Sequence, residues 1–281
     1  MRRFANLANE ESQMEEEKKS KKKSSAAKWF ARCLLLACIV VPLVWFFIFR
    51  DTSPADVNSQ AAQEARQEAL TEAGTSQVVS LDGVWVVDTD IGVFDDACLT
   101  EVCGSSFVGF RIDEELIGIG GKTVVGRTPG INAQFTIEGT RILSTGETNT
   151  EGASPFVIAD MTELITDDAG RNNAIKRQAI ETNKFPEASF VITEPIDFSS
   201  ETDLEGGFET EVVGDLTIHG ITRQEWILLK VSFDGSRILI YGDLGPILLA
   251  DYGIEKPRSA VVLSVNDVAI MEFQLYFKKR S

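Results

Sequence analysis

From Gln224 to Phe233 the apolar side chains return at every second position. Ile227, Leu229, Val231 and Phe233 share one parity, and Trp226, Leu228, Lys230 and Ser232 share the other. A repeat of two belongs to a strand with unlike faces, so this stretch enters a sheet with the first set pointing inward. The same parity puts Phe135 and Ile137, Phe190 and Ile192, Leu216 and Ile218, and Phe273, Leu275 and Phe277 on one side of their strands. From residue 78 onward the runs are short, rich in β-branched and aromatic residues, and separated by Gly, Asp, Asn and Pro. That is the pattern of an antiparallel sandwich or barrel. It predicts strands over 84–88, 106–112, 123–127, 131–137, 156–164, 189–193, 211–218, 224–233, 238–242, 261–265 and 269–277. One helix interrupts them over 168–182, where Ala174, Ile175, Gln178 and Ala179 follow helical spacing, and Pro186 ends that segment.

The first third of the chain reads differently. Residues 33–49, CLLLACIVVPLVWFFIF, carry no charge, and at about 1.5 Å per residue they nearly match a hydrocarbon core. A short transmembrane helix is predicted there, with Trp29, Phe30 and the Trp45, Phe46, Phe47 group at its two interfaces. Lys18, Lys19, Lys21, Lys22, Lys23, Lys28 and Arg32 precede it, which places the amino terminus in the cytoplasm and everything after Arg50 outside. A cleaved signal peptide would want small residues after the run, where Ile48, Phe49 and Arg50 stand. Leu35, Leu36, Ala37 and Cys38 resemble a lipoprotein-processing box, although the apolar run continues past them. The organisation expected is a basic cytoplasmic tail (1–32), a signal-anchor helix (33–49), a polar stalk rich in Ala, Gln, Glu, Ser and Thr (50–78), and a β domain (79–281).

Charge and composition exclude several functions. The first 50 residues carry +5, and the remainder carries -21, a balance that repels nucleic acid. One histidine and four cysteines remove most metal sites, because a structural zinc takes about four Cys or His ligands. No metal ligands and no catalytic residues are assigned. Gly118, Gly120, Gly121, Lys122 and Thr123 imitate a phosphate loop, but Leu116 stands where its first glycine belongs, so a hairpin turn is expected. Asp88, Asp90 and Gly92 depart from a calcium loop in the glycine position and in Leu99. The acid pairs Glu114 with Glu115 and Asp167 with Asp168 read as solvated turns. Cys98 and Cys103 fall in an extracytoplasmic loop, where a disulfide is permitted if their Cα atoms lie within about 7 Å.

Four segments then carry a resemblance. Gly214 to Arg223 reads GDLTIHGITR, residues 171–190 read RNNAIKRQAIETNKFPEASF, residues 125–139 read VGRTPGINAQFTIEG, and residues 82–89 read DGVWVVDT. In this order they are similar to the YceI-like family of lipocalin-like, polyisoprenoid-binding proteins, over about residues 81–277. A His-Ser pair common in that family after the opening strand is missing, and residues 89–106 form a longer loop instead.

The resemblance implies an extended antiparallel barrel whose apolar interior holds an isoprenoid chain, of quinone or prenyl phosphate type. The candidate ligand-lining residues are the inward-facing Phe110, Phe135, Ile137, Phe190, Ile192, Leu216, Ile218, Leu229, Val231, Phe273 and Leu275, with His219 as a polar group near the head. On a tight turn between strands, however, a histidine in the place of His219 is more often a structural hydrogen-bonding residue. A pyrophosphate head would need Arg171, Lys176, Arg177 and Arg223 to converge, so the acidic body favours a neutral, quinone-like head. The expected partners are therefore an isoprenoid lipid or quinone and, through the amino-terminal helix, the membrane, with no nucleic acid and no other cofactor. The alternative is a stalk-displayed interaction barrel whose interior is filled by side chains.

Overall fold

Each alternating run becomes a strand because one of its faces has apolar surface to bury. The computed structural model describes Ser53 and residues 80–118, 120–147, 154–198, 207–258 and 262–280. The predicted tail, membrane helix and stalk lie outside the described residues, apart from Ser53, and no described helix is long and apolar enough to cross a membrane. Fourteen strands follow in order: β1 (Gly83–Val87), β2 (Phe107–Leu116), β3 (Gly120–Thr128), β4 (Ile131–Glu138), β5 (Arg141–Ile142), β6 (Phe156–Asp160) and β7 (Ile165–Thr166). Then come β8 (Glu187–Ile192), β9 (Ile196–Asp197), β10 (Phe208–Ile218), β11 (Ile221–Phe233), β12 (Arg237–Leu248), β13 (Val262–Val265) and β14 (Val268–Lys279). Between β7 and β8 one short helix, α1 (Ala169–Ala174), runs into a π turn, Ile175–Ala179.

The sheet is antiparallel and closes on itself. β1 pairs with β4 on one edge and β14 on the other, which completes a ring of eight: β1, β4, β6, β8, β10, β11, β12 and β14. β14 serves two neighbours along one edge, pairing through 277–279 with β1 and through 270–274 with β2. The wall thus extends at one end as β3, β2 and β14. Inside, Trp85 is fully buried, donates from Nε1 to the Leu81 carbonyl at 2.8 Å, and meets Phe233 edge-on at 6.0 Å. Phe135 and Phe277 pack edge-on at 4.7 Å. The strands follow the alternation, the short helix follows the helical spacing before Pro186, and the closed barrel is what the family resemblance implies.

Boundaries differ from expectation where side chains rewrite the backbone. The 156–164 run breaks after β6, because Asp160 Oδ1 accepts from Thr162 N (2.8 Å) and turns the chain before β7. The 238–242 run continues through a bulge between Leu244 and Ile247, where Pro246 is tolerated because the ladder is already interrupted. The helix stops at Ala179, short of 182. The glycine-rich stretch near Gly118 is the β2–β3 hairpin end, with Leu116 opposite Gly120.

The outer face of β2, β12 and β14 is also buried. The segment between β1 and β2 folds over it, with a 3-10 turn, Asp96–Leu99, and a Cys98–Cys103 disulfide whose Cα atoms are 4.5 Å apart. Ile91, Cys98 and Cys103 pack there with Phe107, Leu239, Tyr241 and Tyr276 as a second core. Asp88 fixes the start of the segment by accepting from Arg237 Nε and Lys278 Nζ, both at 2.9 Å. Burial works against its charge, but those two donors outweigh burial and hold its carboxyl below the usual range.

Beneath this cover lies a buried ionic row. Glu272 accepts from Arg111 Nε and Arg127 Nε, each at 2.7 Å, with Glu272 and Arg127 1% and 2% exposed. Arg127 also donates to the Cys98 carbonyl, and its guanidinium lies 4.1 Å from the Phe107 ring centre. Burial lowers the Arg127 pKa, and Glu272 opposes that change. Replacing the shared carboxylate by an amide leaves two buried cations without a counterion and one of them facing an NH2 group, so Glu272→Gln is expected to lower the unfolding free energy by about 3–5 kcal/mol in urea denaturation. Replacing all three with Met or Leu should cost far less; a loss below about 1 kcal/mol for Glu272→Gln would show that the row contributes little.

Candidate functional site

On β2 the expected burial is inverted. The outward Phe107, Gly109 and Arg111 are buried, whereas the inward Val108, Phe110 and Ile112 are only half-buried. β14 repeats this, with outward Glu272 and Gln274 buried and inward Met271 and Phe273 half-buried. Inward side chains keep accessible surface only if the interior is not filled, and two cavities account for it. One, of about 130 Å³, lies beneath α1 and the π turn, walled by Phe110, Ile112, Leu164, Ile175, Ala179, Ile218 and Ile254 among others. The other, of about 100 Å³, lies among Phe135, Phe190, Ile192, Leu216, Leu229, Phe273 and Leu275. Val108 and Met271 line both, so these two side chains form a waist between them.

Missing side chains on neighbouring strands hold the walls back. Phe110 faces Gly126, where an added Cβ would come within 2.4 Å of its Cε1. Phe190 crosses Gly214 more closely still, at 2.3 Å from Cζ. Both rings therefore lie over bare backbone, in the space a neighbouring side chain would take.

A charged cluster lies at the α1 end, while the polar residues of the second cavity, Gln134 and Glu272, are paired to Ser154 and Arg280 and to Arg111 and Arg127. Thr128, Glu114 and Arg171 line the first cavity. Thr128 Oγ1 donates to the Asp160 carbonyl at 2.9 Å. Asp168 caps α1, accepting from Arg171 N at 2.7 Å, and so sets the helix that carries Arg171. Arg171 Nη2 donates to Glu114 Oε1 at 2.7 Å and Nη1 to Asp167 Oδ1, while Lys122 Nζ donates to Asp167 Oδ2 at 2.6 Å. Burial raises the Asp167 pKa, but Lys122 and Arg171 outweigh it and hold the carboxyl below the usual range. Glu114 is 6% exposed, which corrects its reading as part of a solvated turn. β2 runs on to Leu116, past the predicted end at 112, so Glu114 keeps the inward parity of Phe110 and Ile112.

Of the residues singled out from sequence, Phe110 and Ile218 line the first cavity, and Phe135, Phe190, Ile192, Leu216, Leu229, Phe273 and Leu275 line the second. Ile137 and Val231 belong to the packed core and line neither. His219 lines neither, because both of its ring nitrogens are engaged elsewhere: Nδ1 lies 3.2 Å from the Tyr252 carbonyl and Nε2 3.2 Å from Glu181 Oε2. Its ring meets Phe185 at 4.4 Å. His219 and Gly220 take φ of 52° and 74°, as the two-residue turn joining β10 to β11 requires. Lys184, and then His219, lower the Glu181 pKa by hydrogen bonding. The four cations considered for a pyrophosphate do not converge: Arg171 is paired as above, Lys176 reaches the Thr162 carbonyl, Arg223 faces Asp251 at 3.5 Å, and Arg177 is exposed. Sequence reasoning missed Val108 and Met271; their parity was available, but the meeting of two cavities at their level was not.

A model of the YceI-like domain matches residues 103–277. No curated protein matches the chain. Among solved structures, a polyisoprenoid binding domain from Saccharophagus degradans implicated in plant cell wall breakdown is 14% identical, with 71% of this chain and 99% of that one covered at a TM-score of 0.48. BcnA from Burkholderia cenocepacia is 18% identical, with 61% and 95% covered at 0.43, and the Campylobacter jejuni YCEI protein is 16% identical, with 56% and 85% covered at 0.41.

The His219 contacts predict a structural hierarchy. His219→Ala loses the ring's contacts with the Tyr252 carbonyl and Glu181 and forces alanine into a left-handed conformation, at a cost of about 2–3 kcal/mol. Asparagine tolerates that conformation, so His219→Asn should cost about 1 kcal/mol less in urea denaturation. Equal losses would remove the backbone part of the explanation.

Proposed function

Because the chain belongs to the YceI-like domain family, we propose that its barrel binds a slender lipid, an isoprenoid chain running through the two cavities, for storage or transfer outside the cytoplasm. The observation that carries this reading is the pair of apolar cavities meeting at Val108 and Met271 inside a closed barrel. A filled interaction barrel would have packed those inward residues instead. Apolar burial supplies about 0.8 kcal/mol per methylene, so each five-carbon unit contributes about 4 kcal/mol before the cost of ordering the chain. Binding of this kind needs no catalytic group, and His219 is held within the fold rather than at a cavity wall.

The anchor belongs to the same proposal. The uncharged run at 33–49, with seven cations shortly before it, supports a single-pass helix with a cytoplasmic amino terminus. The polar residues 50–78 then act as a spacer that keeps the barrel close to a lipid source.

Native mass spectrometry of the full chain, released from its host membrane in mild detergent, tests the lipid reading. A discrete adduct series spaced by isoprene units is the expected result, and Val108→Phe, which narrows the waist, should shift the series to shorter chains. The bare polypeptide mass, persisting after incubation with quinones and prenyl alcohols, would overturn it. For the anchor, removal of residues 1–50 should move the protein from the membrane to the soluble fraction. Extraction of the intact chain by carbonate without detergent would contradict a spanning helix.

A further inference from the structure

We propose that the ligand's head is recognised at the Glu114–Arg171 pair and that this pair selects an uncharged hydroxyl-bearing head over a phosphorylated one. This rests on the lipid-binding reading above, and it concerns which end of the ligand lies where.

Three observations carry it. First, the two cavities differ in the polar groups at their walls. The second cavity is walled by Phe135, Phe190, Leu216 and other apolar groups, with Gln134 and Glu272 as polar members that are already paired, whereas Glu114 and Arg171 stand at the wall of the first. An isoprenoid tail has nothing to offer Glu114 or Arg171, and in the second cavity Glu272 is committed to Arg111 and Arg127, and Gln134 to Ser154 and Arg280. Second, the pair offers both halves of a hydroxyl's hydrogen bonding. Arg171 carries five N–H donors, of which its bonds to Glu114 and Asp167 occupy one nitrogen each. Glu114 bonds through Oε1, so among the described residues Oε2 remains as an acceptor. A hydroxyl donates to the carboxylate and accepts from the guanidinium, and it does so without disturbing their 2.7 Å contact.

Third, the site is already balanced in charge. Lys122 and Arg171 meet Glu114 and Asp167, two cations with two anions. The neighbouring Lys176 is turned to the Thr162 carbonyl and Lys256 to Asp267. Asp168, next in the chain, adds a further anion at the start of α1. A pyrophosphate brought here would have to take Arg171 from its two carboxylates and would face the second oxygen of Glu114. Leaving a nearly buried carboxylate without its partner is costly, so the protein's own anions act against an anionic head.

The test uses the purified full chain with farnesol and farnesyl pyrophosphate, which share a tail and differ in the head. Their dissociation constants are read by competition against a fluorescent apolar probe. Farnesol is expected to bind at least about tenfold more tightly. Glu114→Gln removes the charge at constant shape and should narrow that ratio by weakening farnesol and strengthening the pyrophosphate. Asp167→Asn, at a more exposed position, frees an Arg171 donor and should strengthen the pyrophosphate alone. Equal or tighter binding of the pyrophosphate by the unaltered chain, or a ratio that neither substitution moves, would overturn the proposal while leaving lipid binding intact. Failure of both compounds to displace the probe would instead remove the lipid-binding reading, and this inference with it.

Discussion

Arg127, Gly109 and Glu272 stand in one row across β3, β2 and β14, and the arrangement of the domain's extended wall follows from that row. Arg127 must cross β2 to reach Glu272, and it crosses where β2 has no side chain: a Cβ on Gly109 would lie 2.8 Å from Arg127 Cγ and 2.3 Å from the Gly126 carbonyl. A one-residue slip would send Arg127 to the interior and bring an apolar residue out. The ion pair therefore fixes register on three strands. Once covered, it also creates a demand, because buried charges must have their hydrogen bonds satisfied. The segment between β1 and β2 meets that demand, giving Arg127 the Cys98 carbonyl and Gln274 Nε2 the Cys103 and Ser105 carbonyls, while the guanidinium lies over the Phe107 ring at the start of β2.

The two faces of these strands divide their work. Because the outer face has its own core, clamped by the disulfide and the ionic row, the inner face of the same strands need not be packed solid. Val108, Phe110, Met271 and Phe273 can remain half-buried around a cavity without the wall losing its hold. In a barrel with only one core, emptying the interior would remove the main source of stability.

Much of this was legible because strand parity is local. The inward set on β4, β8, β10, β11 and β14 could be read from alternation alone, and a tight turn at His219 follows from Gly220 beside it. What alternation cannot report is the cover on the far side. Arg111, Arg127, Glu272 and Gln274 have outward parity and would ordinarily meet water; they are buried because the segment between β1 and β2 folds over them. The cavities were hidden for a similar reason. Phe110 lies over Gly126 and Phe190 over Gly214 through cross-strand pairing, and pairing is decided by register rather than composition. Glu114 was misread because the expected strand ended four residues too early, and the acidic neighbour Glu115 made the pair look like a turn.

The same strand that fixes the wall also gives the cavity a direction. Along β2 the inward positions are Val108, Phe110, Ile112 and Glu114, three apolar residues and then a carboxylate. At about 6.6–6.8 Å between successive inward positions, the step from Ile112 to Glu114 is short compared with an isoprenoid chain. The polarity changes where β2 meets α1, because Asp168 caps the helix there and brings Arg171 opposite Glu114. The helix thus does more than close one end of the interior. By supplying the counterion that allows a carboxylate to sit 6% exposed among apolar side chains, it sets a polar end against an apolar one. An amphipathic molecule entering such a space has one favourable orientation, and that orientation is written in the inward face of a single strand.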